Sequence, residues 1–211
     1  MNNAHPSKRF LANQIIFQDY IDRIDDFLTY EKKITDEYTK KELEEEYYPS
    51  REEDLYFFYD FDDYYQLFLY SFTISLYQFF DDSIIRYLKY EHKKHLTNLS
   101  LSDIQGRGPK KYRVYLEKVL EQNPDFWPKS GWNDFYIFNS LRNCIVHNNG
   151  YIDEQLQHIH KKRLEQHIPK NDDIDISENN RILLKKDYSN YLLDLVFNFL
   201  EALFRHAGYD Y

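Results

Sequence analysis

Several things are scarce in this chain, and each scarcity excludes something. A single cysteine among 211 residues, Cys144, leaves no disulfide framework and points to a reducing compartment. Five glycines and six prolines are too few for a collagen-like repeat or a linker-rich disordered chain. No apolar run approaches the roughly 18 residues of a membrane span. Residues 1–10 also lack the apolar stretch of a signal peptide. A cytoplasmic protein that does not engage the membrane is the expectation. Aromatic residues are plentiful instead: 21 Tyr, 16 Phe and 2 Trp make up 18% of the chain, enough apolar surface for a sizeable core.

The formal charge is −9, which taken alone argues against nucleic acid as a partner. Its distribution reverses that argument. Phe17 to Tyr65 holds 17 acidic and 6 basic residues, leaving 19 acidic and 21 basic elsewhere. Within the remainder, Ile85 to Lys118 carries nine basic residues against three acidic ones. The acidic excess belongs to one segment.

Apolar spacing and the scarcity of breakers predict a mostly helical fold. Phe10 to about Tyr47 reads as an amphipathic helix stopped by Pro49. Ser50 and Glu53 form a capping box that opens a second long helix, running to about His95. Its section Leu67 to Leu88 is apolar nearly all round and is expected at the centre of the fold. Asn98 to Gly108 reads as a polar loop, and Lys110 to about Gln122 as a short helix. An irregular segment with Pro124 and Pro128 follows, then a helix from Asn133 to His147, ended by Asn148-Asn149-Gly150. A charged helix is expected over Asp153 to His167. Ile174-Asp175-Ile176 and Ile182-Leu183-Leu184 suit a small hairpin. A last helix, capped by Asp187 or Ser189, runs through His206 to a stop at Gly208.

The chemistry sits in Leu141-Arg142-Asn143-Cys144-Ile145-Val146-His147, where three polar groups are embedded in a core-forming helix. Asn143 and His147 are four apart and share a face, and the long side chain of Arg142 reaches toward them. Such a trio suits RNA cleavage without a metal. An imidazole near neutrality relays protons to or from a ribose 2′-OH or a leaving 5′-oxygen. A guanidinium fork holds a phosphate and stabilises the charge developing on it. Asn143 is placed to orient either the imidazole or the ribose. A chain of this composition holds about 0.03 Arg-Asn-x3-His spacings by chance.

Arg142-Asn143-x3-His147 and the Asn-Asn-Gly turn after it resemble the HEPN superfamily (higher eukaryote and prokaryote nucleotide-binding), whose hallmark is Arg-x4–6-His. The flanks are similar too: an aromatic central helix before the motif, then a hairpin and a C-terminal helix after it. The resemblance spans about Asp60 to Arg205 and implies an all-α helical bundle over residues 60–211. Residues 1–59 then form a long acidic helical extension packed on that core. It further implies a metal-independent endoribonuclease, a toxin or phage-defence effector, with no cofactor. Arg142, Asn143 and His147 would be its catalytic residues. Relatives of this kind pair as homodimers, so that two motif helices share one cleft and supply two histidines. An antitoxin or regulatory protein would restrain the activity. Relatives silenced by nucleotidyltransferase antitoxins carry His-x-Tyr; here that position is Asn149 and the nearest tyrosine is Tyr151.

Other features have plainer readings. Arg107, Lys110 and Lys111 are candidate RNA-backbone contacts or a solvated basic loop. Gly106-Arg107-Gly108-Pro109 lacks the spacing of a phosphate-binding loop. His92 with His95, and His158 with His160 and His167, form no metal pattern and read as solvent-facing. Cys144 reads as a small core residue. The tyrosines of the central helix suit a core and a dimer interface better than base stacking. The alternative to a nuclease is a non-enzymatic interaction or regulatory module, antitoxin-like or a nucleic-acid mimic through its acidic segment.

Overall fold

The computed structural model describes residues 10, 12–24, 26, 29, 30, 33, 61–95, 97–122, 131–206 and 208. The capping box at Ser50 and the proline-rich segment around Pro124 and Pro128 lie outside the described residues, as does most of the acidic segment. Among the described residues the fold is all-helical apart from one two-stranded hairpin. Residues 12–24 form α1. The others are α2 (Phe61–His95), α3 (Gly108–Lys118), α4 (Gly131–Asn148), α5 (His158–His167) and α6 (Lys186–His206).

Helix α2 is the central element, packed against α3, α4, α6 and one strand. Leu69, Phe72, Leu76, Phe80, Ile84 and Leu88 recur three or four residues apart and are buried, which is how one face of a helix meets a core. Its burial is not all-round, as the apolar run had suggested: Ser75, Gln78, Asp82, Arg86 and Lys89 form an exposed stripe. The polar residues between the aromatics therefore define a solvent side. Among the described residues, most aromatics sit in or against the core. Phe80 stacks on Phe135 of α4 with centroids 4.2 Å apart, and Phe199 of α6 meets Phe135 edge-on at 4.6 Å. Such pairs add about 0.5–1.5 kcal/mol beyond burial alone. Helix α1 joins the same core through Ile21 and Ile24, with Phe17 against Phe72, Phe79 and Phe197.

The hairpin forms where its sequence placed it. Strand β1 (Ile174–Ile176) pairs antiparallel with β2 (Ile182–Leu184), and Ile174 lies opposite Leu184. Ile174, Ile182 and Leu184 point inward. Buried Gln66 of α2 treats Leu184 as a strand neighbour would. Its Nε2 donates to the Leu184 carbonyl at 3.0 Å, and its Oε1 accepts from the Leu184 amide at 2.8 Å. That satisfies a strand edge that would otherwise be buried unpaired.

Several boundaries differ from expectation: α3 ends at Lys118 rather than near Gln122, and α4 starts at Gly131 rather than Asn133. Helix α3 begins at Gly108, because Pro109 is tolerated in a first turn that needs no amide donor. Helix α5 begins at His158, five residues later than expected. The Asp153 carboxylate accepts from the backbone amides of Gln155 and Leu156, which holds that stretch as a turn. The last helix starts at Lys186, so Asp187 lies in its first turn and Ser189 is buried inside it, neither acting as cap.

Candidate active site

One face of α4 carries Asn139, Asn143 and His147, each four residues from the next, with Arg142 adjacent to Asn143. The helix ends immediately after them. Asn149 and Gly150 adopt φ of 50° and 82°, left-handed values that Asn tolerates and Gly adopts freely. The Gly150 amide returns to the Cys144 carbonyl at 3.1 Å, and the Ile182 amide donates to the Gly150 carbonyl at 2.9 Å. The terminating turn is thus sewn to the hairpin, and the last turn, with His147, is held in place.

This face forms one wall of a cleft of about 580 Å³. Helix α5 and the loop before it form the opposite wall, with His160 and Arg163. Tyr77 and Asp81 of α2 close the back, and Arg107 to Lys110 form the rim at the start of α3. The volume falls within the usual few hundred to a thousand Å³ of ligand clefts. Four permanent cations, Arg107, Lys110, Arg142 and Arg163, face it against one carboxylate, Asp81. Such a surface concentrates anions.

A chain of hydrogen bonds runs along the floor. Arg142 Nη1 donates to Asn143 Oδ1 at 3.0 Å and lies 3.4 Å from His147 Nε2. Asn143 Nδ2 donates to the Asn139 carbonyl at 2.8 Å and to His160 Nε2 at 3.3 Å. The Ser140 hydroxyl donates to the Tyr136 carbonyl at 2.9 Å, so its oxygen accepts from His160 Nδ1–H at 3.0 Å. The Tyr77 hydroxyl donates to Asn139 Oδ1 at 2.7 Å, while the Arg142 guanidinium lies 6.0 Å from the Tyr77 ring centre. His147 is exposed, and Arg142 and Asn143 are half-buried.

Titration follows the burial. His160 is pushed below the ordinary histidine value, first by desolvation, then by Arg163 and His147 nearby. Burial likewise raises the Tyr77 hydroxyl. Burial raises the Asp81 carboxyl too, against the opposing pull of the hydrogen bond it accepts from Tyr112. Cys144 is buried, and desolvation pushes its thiol up to about 12, the property of an inert core residue.

Arg142, Asn143, His147, Arg107 and Lys110 therefore meet in one cleft, and Lys111 does not line it. Asn143 contacts Arg142 and His160 rather than His147. His160, expected to face solvent, instead faces the cleft and is hydrogen-bonded at both ring nitrogens. Sequence spacing does not join it to the motif, because it lies 17 residues beyond Asn143 on another helix. The available signal was the polar stripe Asn139, Asn143, His147 on an otherwise apolar helix, which demands polar partners opposite. Three other histidines have local partners. His92 lies beside Thr97 and Tyr115, His95 beside Glu91, and His167 beside Tyr188. Among the described residues no group of three or more His, Cys, Asp or Glu is placed to hold a metal ion. No described helix is long and apolar enough to cross a membrane.

Compared with family models, curated proteins and solved structures, the chain matches none.

Proposed function

We propose that this chain is a HEPN-type endoribonuclease that cleaves RNA without a metal ion and acts as a toxin or phage-defence effector. One observation carries the reading. A phosphate-binding fork and an imidazole, Arg142 and His147, stand 3.4 Å apart in a cleft whose permanent charges are four cations to one carboxylate. In this reading Arg142 grips the scissile phosphate and stabilises the charge that builds on its oxygens. Asn143 holds the guanidinium in place through its Oδ1. His147 moves the proton that the reaction displaces. The ribose 2′-oxygen attacks phosphorus, the bond from phosphorus to the 5′-oxygen breaks, and the proton lost by the 2′-OH is matched by one gained at the 5′-oxygen. The products are a 2′,3′-cyclic phosphate and a 5′-OH end. Arg107 and Lys110 at the rim hold the adjoining backbone.

The reading includes a homodimer, with the exposed Val146 and Tyr151 at the contact between copies. It also includes restraint by an antitoxin or regulatory protein. Mapping 5′-OH ends in cells that express the chain tests the activity. New ends are expected with the wild type and not with Arg142→Ala; identical end maps would sink the reading.

A further inference from the structure

We infer that His160 is a positioning residue of this site: in its neutral form it fixes the Asn143 amide, and through that amide the Arg142 guanidinium. Ser140 spends its only proton on the Tyr136 carbonyl, so it accepts from His160 Nδ1–H. That leaves Nε2 as a bare acceptor, and the Asn143 Nδ2 group donates into it at 3.3 Å. The same amide has its oxygen on Arg142. An amide held at the nitrogen end by His160 and the Asn139 carbonyl cannot flip, so its oxygen stays aimed at the guanidinium. Ser140, His160, Asn143, Arg142 and His147 thus form one connected set drawn from two helices of a single chain.

The state of His160 decides whether the set holds. A proton on Nε2 would turn an acceptor into a donor facing a donor, and Asn143 would be released. Its surroundings oppose that proton. Arg163 lies on its own helix, and Arg142 and His147 stand on α4 opposite. Arg107 and Lys110 add positive charge from the rim, and only Asp81, which accepts from Tyr112, adds a carboxylate. Tyr77 and Tyr136 also line this space.

The kinetic part of the test rests on the nuclease reading, and the spectroscopic part does not. His160→Gln places an uncharged carbonyl where Nε2 stood and keeps an acceptor for Asn143; His160→Ala removes it. His160→Ala should lower kcat/KM by about 10- to 100-fold, the usual effect of losing a hydrogen bond that orients a charged group. His160→Gln should stay within about threefold of wild type, a shift worth well under one tenfold step. Its acid-side fall in kcat/KM should be shallower than wild type, because one ionisation has gone. A His160→Gln protein that is folded yet as inactive as His160→Ala would overturn the positioning role in favour of proton transfer. Full activity in His160→Ala, or an unchanged acid limb in His160→Gln, would also overturn it. If the wild type cleaves no RNA, the nuclease reading fails, and nitrogen NMR of the ring still decides this inference. At pH 7.5 His160 should carry its proton on Nδ1, and the Asn143 side-chain amide signal should move as His160 titrates. A proton on Nε2, or an Asn143 signal indifferent to that titration, would refute it.

Discussion

Gly150 is the joint between the motif helix and the hairpin, and replacing it with alanine tests how that joint is built. Two separate costs are expected. Its φ of +82° lies where an L side chain pays about 1–2 kcal/mol. A Cβ at this position would also stand 2.2 Å from the Tyr70 hydroxyl oxygen and 2.7 Å from the ring carbon bearing it. Tyr70 cannot yield freely, because its ring is buried and its hydroxyl donates to the Ile182 carbonyl. Displacing it leaves a buried acceptor unpaired, at about 1–3 kcal/mol. The sum is about 2–5 kcal/mol, a large part of the 5–15 kcal/mol that ordinarily holds a domain together. Gly208 supplies the control: its φ is +81°, and nothing lies within 4 Å of the Cβ position. Urea denaturation followed by circular dichroism should show Gly208→Ala losing only the backbone cost, and Gly150→Ala losing at least about 1 kcal/mol more. In a Tyr70→Leu background, which removes the clashing atoms, the excess should vanish. Equal losses for the two glycines, or an excess that survives Tyr70→Leu, would refute the joint as described.

Other outcomes follow from the same geometry. His147 is exposed, so His147→Ala should change stability by no more than about 0.5 kcal/mol. Arg142→Ala, which loses its place over the Tyr77 ring, should cost about 1 kcal/mol; several kcal/mol in either melt would make these residues structural. Burial depresses the pKa of both His160 and His167, so the unfolded chain takes up protons at these sites before the folded one does. Their stabilising contribution should be complete above the ordinary histidine value of about 6.5 and decline as pH falls below it. Denaturation series from pH 8 to 5 check the sign, which a rise in stability on acidification would contradict. RNA binding should weaken with salt, and Arg107→Ala and Lys110→Ala should each reduce the slope of log K against log salt by about 1. Lys111→Ala, outside the cleft, should leave that slope unchanged, and a drop equal to the others would show that the RNA path extends beyond it.

What could be read from the sequence was local, and what escaped was tertiary. The hairpin was legible because two short apolar strands flank Ser177 to Arg181, and Asn180 supplies the left-handed residue its turn needs. The end of α4 was legible because Asn149 and Gly150 can hardly continue a helix. The start of α5 was not, since nothing in the charged run shows that the Asp153 carboxylate takes its neighbours' amides. The solvent stripe on α2 was masked by aromatics crowded around it. For the site, the sequence placed Arg142, Asn143 and His147 on one helix. Their partners His160, Tyr77 and Arg163 come from helices 60 or so residues before and about 20 after, and only packing brings them in. A net −9 concealed a cleft whose permanent charges are four cations and one carboxylate.

The central claim is cleavage by side chains alone, and one measurement meets it most directly. Purified chain is incubated with single-stranded RNA in excess EDTA, and the ends of the fragments are identified. The account predicts undiminished cleavage that leaves 2′,3′-cyclic phosphate and 5′-OH ends and disappears in His147→Ala. Cleavage that stops on chelation, yields 5′-phosphate ends or persists in His147→Ala would contradict it.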